Sequence, residues 1–176
     1  MKPKILLHSC CADCAIYVAH KLMSDFEVGV YYYNPNIHPK AEFEKRYNEF
    51  KKHLNKKIKL IKGKYDVERW NKLVKGLEKE PERGARCDVC YLMRLEEAVK
   101  YAKKHGYDYF ATTLIMGRQK KTETLFELAK QLADKYQVKF YEEDLKKHCG
   151  TNISSWLSKQ MKLYRQNYCG CRYSKH

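Results

Sequence analysis

The feature that most constrains the fold of this chain is the alternation of short β-type segments with longer amphipathic ones. The predicted strands are 4–8, 27–33, 57–61, 107–114 and 138–141. The predicted helices are 15–22, 40–54, 65–79, 92–104, 121–135 and 152–161. Strands that alternate with helices are typical of a parallel sheet with helices on both faces. We therefore expect a single α/β domain over 1–176, with a mostly parallel sheet of about five strands.

A cluster of thiols directly follows the first predicted strand, in the run His8-Ser9-Cys10-Cys11-Ala12-Asp13-Cys14. Ligands of such sheets bind beyond the carboxyl ends of the strands, so this position is a natural site. Adjacent cysteines rarely bridge each other, because disulfide geometry requires a particular separation and dihedral angle. Backbone amides at the start of a helix stabilise thiolates. The run therefore indicates one half of a metal site.

Charge and hydrophobicity narrow the class of protein. No apolar segment is long enough to span a bilayer, and the apolar stretch near the N-terminus is too short for a secretory signal. We expect a cytoplasmic protein, in which cysteine clusters more often serve metal or redox chemistry than structural disulfides. The chain has 36 Lys and Arg against 21 Asp and Glu, a net charge of +15. That excess is typical of nucleic-acid-binding proteins, although a lysine-rich solvated surface gives the same balance.

The second half of the metal site is predicted at Cys87 and Cys90, which have Cys-x-x-Cys spacing at the start of a helix. Together with Cys10 and Cys11 they give four thiolates, a set that serves zinc or an iron–sulfur cluster. Adjacent ligands suit a cluster better, because they can reach two different irons. The ligand pattern therefore favours iron–sulfur over zinc.

Other reactive groups leave alternatives open. Asp13 and Cys14 can bind a second metal with open positions, or Asp13 can simply oppose the helix dipole. Cys169 and Cys171 flank one glycine, and such a pair can form a strained, readily reduced disulfide. Further metal ligands or a disordered end are the alternatives, and we favour the redox pair. Cys149 has no cysteine close in sequence and is interpreted as a spectator.

Four polar residues near the strand ends are not interpreted as metal ligands. His8 is expected to form a hydrogen bond in support of the metal ligands rather than to bind metal. His38 is either a turn residue or a substrate contact. Asn34 and Asn36 lie in the same proline-containing loop and are interpreted as turn formers.

Five separated motifs carry a resemblance to a known family. They are HSCCADC at 8–14, YNPNIHP at 33–39, RCDVCYLMRL at 86–95, ATTL at 111–114 and YRQNYCGCRYS at 164–174. In this order they resemble the cobalamin-independent, QueH-type epoxyqueuosine reductases over nearly the whole chain. The resemblance implies a nucleotide-hydrolase (PP-loop related) α/β fold. It also implies reduction of epoxyqueuosine at the wobble position of tRNA, the last step of queuosine biosynthesis.

The resemblance further implies cofactors and their ligands. A 4Fe-4S cluster would be held by Cys10, Cys11, Cys87 and Cys90. The candidate ligands of an additional mononuclear iron beside the cluster would be Asp13 and Cys14. The matching redox-active disulfide pair would be Cys169 and Cys171.

The implied partners are tRNA and an external electron donor. A basic surface would hold the anticodon stem-loop, with the wobble base splayed out and stacked on aromatic side chains. We expect phosphate contacts at Arg165, Arg172, Lys120 and Lys121. One alternative is a zinc-stabilised RNA-binding module, which metal content separates. A second alternative is a different iron–sulfur tRNA-modifying enzyme, such as an ATP-dependent thiolase. Such a thiolase needs a Ser- and Gly-rich loop after the first strand, where this chain has its first cysteine cluster.

Overall fold

A five-stranded sheet, all of whose neighbouring strands are parallel, forms the centre of the molecule. The computed structural model describes residues 1–116, 122–145 and 150–174. The strands are β1 (Lys4–His8), β2 (Glu27–Tyr32), β3 (Lys59–Lys62), β4 (Tyr109–Thr112) and β5 (Lys139–Phe140). The helices are α1 (Ala12–Leu22), α2 (Lys40–His53), α3 (Val67–Leu73), α4 (Ala85–Lys104), α5 (Thr122–Tyr136) and α6 (Gly150–Gln160). Short 3-10 helices lie at Thr113–Met116 and Arg172–Ser174.

The strand order is β3-β2-β1-β4-β5, so the direction of winding reverses between β1 and β4. In the register, Leu7 of β1 pairs with Val30 of β2 on one side and Ala111 of β4 on the other. Connections between parallel strands are right-handed as a rule, so winding in two directions from this point places helices on both faces. One layer packs α1 with α2 and α6, and α4 packs with α3 and α5.

This topology confirms the predicted α/β class and the parallel sheet of five strands. It is compatible with the PP-loop related class, and that relation stays a prediction. Within the described part of the chain, no helix combines the length and apolar character needed to cross a bilayer.

The central strand explains why the sheet is so well specified by sequence. Ile5, Leu6 and Leu7 of β1 are each 0 % exposed, because helices cover both faces of the strand. Burial of an aliphatic side chain of this size stabilises the fold by about 1.5–3 kcal/mol. The strand is therefore held firmly, and the residues that follow it start from a fixed position.

Three element boundaries differ from the prediction in ways that matter for the site. Helix α1 begins at Ala12 rather than at residue 15, which puts Asp13 in its first turn. Helix α4 begins at Ala85 rather than at residue 92, since the backbone of Gly84 is extended and its carbonyl accepts the Cys87 N–H. The preceding helix α3 ends at Leu73, ahead of Gly76 with φ +85°.

Candidate functional site

A cavity of about 580 Å³ lies at the carboxyl ends of β1 and β4. The two strand ends meet there, with the hydroxyl oxygens of Ser9 and Thr113 2.8 Å apart. The seven cysteines of the described residues all line this cavity, and they are Cys10, Cys11, Cys14, Cys87, Cys90, Cys169 and Cys171. A position where the strand order reverses is where open α/β sheets bind ligands, and the volume is typical of small-molecule sites.

The loop between β1 and α1 supplies one wall of the cavity. The Sγ atoms of Cys11 and Cys14 and a carboxylate oxygen of Asp13 all lie within 4.8 Å of one another. Asp13 Oδ1 is buried and has no hydrogen-bond partner among the described residues. A carboxylate and two thiols at this spacing can share one metal ion.

The thiols of this loop crowd each other. The hydrogen bond with Cys11, followed by burial, raises the pKa of Cys10 well above its usual range. Thiols in such surroundings become thiolates when a cation balances their charge, as metal binding does.

Helix α4 supplies the opposite wall. Cys87 and Cys90 lie in its first two turns, three residues apart, so both side chains project from one face. Each is 8 % exposed. The backbone N–H of Arg83 donates to the Cys87 Sγ at 3.3 Å. The positive end of the helix dipole therefore faces the position at which thiolates would be held.

A buried arginine that the sequence interpretation missed links the two walls. Arg94 is 3 % exposed, and its guanidinium lies against the thiols of both Cys10 and Cys90. Its Nη2 donates to Asn34 Oδ1 at 2.6 Å, and Asn34 Nδ2 donates to the Ser9 carbonyl at 2.9 Å. None of the ion pairs found among the described residues includes Arg94. Helical spacing from Cys90, one turn earlier, was the available signal.

His8 lies behind the strand end and does not line the cavity. Burial, followed by the charge of Arg94, lowers the pKa of His8 to about 3, so the ring is neutral. Its Nε2–H donates to the Tyr33 carbonyl at 3.2 Å, which leaves Nδ1 to accept the Thr112 hydroxyl at 3.0 Å. In turn, Thr112 Oγ1 accepts the Leu114 N–H at 3.2 Å. These bonds join the end of β1 to β4 and to the residue that follows β2. Among the described contacts none of the His8 hydrogen bonds reaches a cysteine, contrary to the expectation that His8 supports the metal ligands.

The segment after α6 closes the cavity from a third side, and α2 holds it there. Arg46, 1 % exposed, donates to the carbonyls of Tyr168 and Cys169, each at 3.2 Å, and to Glu42 Oε1 at 2.7 Å. The His38 N–H donates to the Gly170 carbonyl at 2.8 Å. The His38 ring donates to the Asn36 carbonyl at 2.8 Å, which stabilises the turn, and its Nε2 is buried with no partner among the described residues. A substrate contact of His38 stays a prediction. Cys169 and Cys171 are both thiols in this arrangement.

The other predicted residues have mixed outcomes. Asn36 lines the cavity with a buried Oδ1 that has no partner among the described residues, so it is more than a turn former. Arg165 is exposed and lines the cavity, and the exposed Arg172 lies over the Trp70 ring. The remaining predicted residues lie outside the described residues, and they are Lys120, Lys121 and Cys149.

The fold and this cavity define an α/β protein whose thiols converge where the strand order reverses. The family model described as "Epoxyqueuosine reductase QueH" matches residues 5–176. This chain belongs to that family, which is one of oxidoreductases.

Relatives named epoxyqueuosine reductase QueH match nearly the full chain. The protein from Staphylococcus epidermidis is 38 % identical over 97 % of this chain and 75 % of its own. The protein from Haemophilus influenzae is 40 % identical over 97 % of this chain and 71 % of its own. The protein from Dehalococcoides mccartyi is 37 % identical over 100 % of this chain and 94 % of its own. Among solved structures, Bordetella bronchiseptica WbmH in complex with NAD+ has a TM-score of 0.37 and 12 % identity, covering 78 % of this chain and 54 % of that one. That likeness supports no statement about this chain.

Proposed function

We propose that this protein reduces the epoxide of epoxyqueuosine in tRNA to the cyclopentene of queuosine. Membership of the epoxyqueuosine reductase QueH family supports the reaction. The conversion takes up two electrons and two protons and releases the epoxide oxygen as water. A site for it needs a source of electrons, a group that attracts the oxygen, and a cavity for a nucleoside.

The observation that carries the proposal is the buried cation of Arg94 against Cys10 and Cys90. A buried charge without a counter-ion costs several kcal/mol. Neutral thiols would leave this cost unmet, whereas thiolates that hold an anionic iron–sulfur cluster would meet it. The arrangement therefore supports a working form in which Cys10 and Cys90 are ionised ligands.

The spacing of the thiols supports a cluster over zinc. Four thiolates on one zinc, at about 2.3 Å from the metal, would lie about 3.8 Å from each other in a tetrahedron. Among the described residues, only Cys11, Asp13 and Cys14 form a group of three or more donor atoms that all lie within 4.8 Å of one another. A 4Fe-4S cluster accepts thiolates on separate irons, so its ligands lie farther apart. Its proposed ligands are Cys10, Cys11, Cys87 and Cys90.

Each group in the cavity then has a role. When bound, a cluster would supply single electrons, and an iron beside it would supply Lewis-acid chemistry for the epoxide. Asp13 and Cys14 are the proposed ligands of that iron, since the Oδ1 of Asp13 is buried without a partner among the described residues. Cys169 and Cys171 line the same cavity, where they can store two electrons as a dithiol.

The tRNA partner is supported by the net charge of +15 and by the exposed Arg165 at the cavity. A wobble base that leaves its stack can enter a cavity of this size, while the phosphates stay on the basic surface.

The test has two parts, both anaerobic. Reconstituted protein is analysed for iron, sulfide and zinc and by Mössbauer spectroscopy, and is then given an anticodon stem-loop that contains epoxyqueuosine. We expect cluster iron, with loss of one oxygen atom from the nucleoside by mass spectrometry. Cys87→Ala should lose both, and Lys100→Ala, on the outer face of the same helix, should keep both. A colourless protein with stoichiometric zinc and no product would instead indicate the RNA-binding module.

A further inference from the structure

The two cysteines of the segment 164–174 differ in their surroundings. We infer that Cys169 is the outer thiol, which exchanges with an external dithiol reductant, and that Cys171 is the inner thiol, which faces the metal ligands. This inference rests on the proposed function, because it assigns an order to the redox pair of that reaction.

Exposure separates the two side chains. Cys171 is 7 % exposed and belongs to the buried core, whereas Cys169 is only partly buried. The inner position of Cys171 also brings it within electrostatic reach of Cys90 and Arg86. A reductant from solution therefore meets the Cys169 sulfur first.

Hydrogen bonds hold the outer sulfur in place. Cys169 Sγ lies 2.9 Å from Ser174 Oγ and accepts the Cys171 N–H at 3.4 Å. The Ser174 hydroxyl also donates to the Cys171 carbonyl at 3.1 Å, so Ser174 contacts both ends of the pair. Gly170 between them has φ +109°, a conformation that bends the chain and favours glycine. The outer sulfur is thus presented by a fixed turn.

A second observation concerns the charge beside the inner sulfur. Arg86 is 2 % exposed, and its Nη1 donates to the carbonyls of residues 77, 78 and 80. None of the ion pairs among the described residues includes Arg86. Burial raises the pKa of the Cys171 thiol, and the positive charge of Arg86 opposes that rise. Removing this charge would therefore make a thiolate at Cys171 still less stable. A sulfur whose thiolate is stabilised is the better leaving group in disulfide exchange.

The exchange step follows from these two observations. A thiolate of the external dithiol attacks Cys169 Sγ, a mixed disulfide forms, and the Cys169–Cys171 bond breaks with its electron pair on Cys171. In the mixed disulfide, the first sulfur of the reductant is bonded to Cys169 Sγ. The second thiolate of the reductant then attacks that first sulfur and releases Cys169. The reductant becomes a disulfide, and its two protons pass to Cys169 and Cys171. The pair gains two electrons, as many as one epoxide reduction uses.

The test measures which thiol reacts first. Reduced holoprotein is given isotopically labelled N-ethylmaleimide for short times under anaerobic conditions, and fragmentation of the peptide that carries both cysteines locates the label. We expect Cys169 to be alkylated at least tenfold faster than Cys171. Equal rates, or a faster Cys171, would overturn the assignment.

The leaving-group role of Arg86 has its own measurement. The disulfide form is reduced by dithiothreitol, and the rate is followed by mass spectrometry. Arg86→Met should slow this reduction at least tenfold, and Arg86→Lys, which keeps the charge, should stay within threefold of wild type. If Arg86→Lys slows disulfide reduction as much as Arg86→Met does, and both variants unfold at the wild-type temperature, the proposed effect of charge is refuted.

These outcomes are independent of the reaction on tRNA. If holoprotein fails to reduce epoxyqueuosine while Cys169 still reacts first, the proposed function fails and the thiol order stands. If the substrate is reduced and Cys171 reacts first, the order alone is wrong.

Discussion

Replacing Arg94 with methionine should separate the stability of the empty protein from its affinity for metal. Methionine has a similar length and no charge, so it fills most of the space of the buried guanidinium. In the empty protein the arginine lies against the thiol groups of Cys10 and Cys90, and none of the ion pairs of the described residues gives it a carboxylate partner. In the loaded protein the same charge would lie against thiolates, so the substitution has different effects on the two forms.

The magnitudes follow from the contacts of Arg94. In the empty protein, replacing a buried charge by an apolar group gains about 1–4 kcal/mol. Leaving Asn34 Oδ1 without its donor costs about 1–3 kcal/mol. These effects offset, and we expect the free energy of unfolding to change by less than about 2 kcal/mol. In the loaded protein, one charge about 4 Å from another contributes about 4 kcal/mol at an effective dielectric constant of 20. That energy corresponds to about a thousandfold in affinity.

The assay compares two measurements on one variant. Urea unfolding of the metal-free protein gives the stability, and competition with an iron chelator under anaerobic conditions gives the affinity. Arg69→Met is the matched control, because Arg69 is a partly exposed arginine that pairs with Glu97 of α4 away from the cavity. It should leave chelator resistance unchanged. An iron affinity of Arg94→Met within threefold of the wild-type affinity would refute the role of this charge in metal binding. Unfolding of the metal-free variant would refute the expected balance of stabilities.

Three further predictions concern the thiols and the segment that closes the cavity. Cys14→Ala should keep cluster iron and lose a single additional iron per chain, whereas Cys10→Ala should lose the cluster, both measured by iron and sulfide content. Gly170→Ala should loosen the segment because its φ of +109° is unfavourable for alanine; faster hydrogen exchange at 164–174 would report this, and wild-type exchange would contradict it. Glu49 accepts the Tyr164 N–H at 2.9 Å, and hydrogen bonds to its carboxylate, which outweigh burial, lower its pKa. Attachment through Glu49 is therefore complete above the unfolded pKa of about 4.5 and is lost as pH falls through the lower pKa of the folded protein. Glu49→Gln should remove that pH dependence of exchange, and an unchanged profile would count against it.

The sequence was sufficient for the sheet because the buried strands carry continuous apolar runs. Ile5, Leu6 and Leu7 predicted the central strand, and its end correctly placed the first thiols at an edge where strands converge. The start of α4 was misplaced, because Arg86, Cys87 and Asp88 give no apolar periodicity of their own. In that stretch Arg86 and Cys87 line the cavity and Asp88 is exposed, and Arg86 also donates to carbonyls of the preceding loop.

The buried arginines could not be predicted from composition, since arginine is almost never buried without a partner. Arg46 is explained by Glu42 one turn earlier and by carbonyls more than a hundred residues away, contacts that no local pattern contains. Arg94 had a local signal, its helical spacing from Cys90. The roles assigned to the cysteines stay predictions, although the fold brings the described ones into a single cavity.

The walls of this cavity are held by the hydrophobic core, and this has a calorimetric consequence. Cys11, Cys87 and Cys90 are 3 %, 8 % and 8 % exposed, because β1 and α4 are fixed by the core. Proteins that fold around their metal bury much surface on binding and show a large negative heat-capacity change. Here the elements that carry the ligands are fixed by the core, so we expect metal loading to change the heat capacity little and its enthalpy to depend only weakly on temperature. The core would then hold the metal ligands, and the sheet would stay folded when the metal is removed.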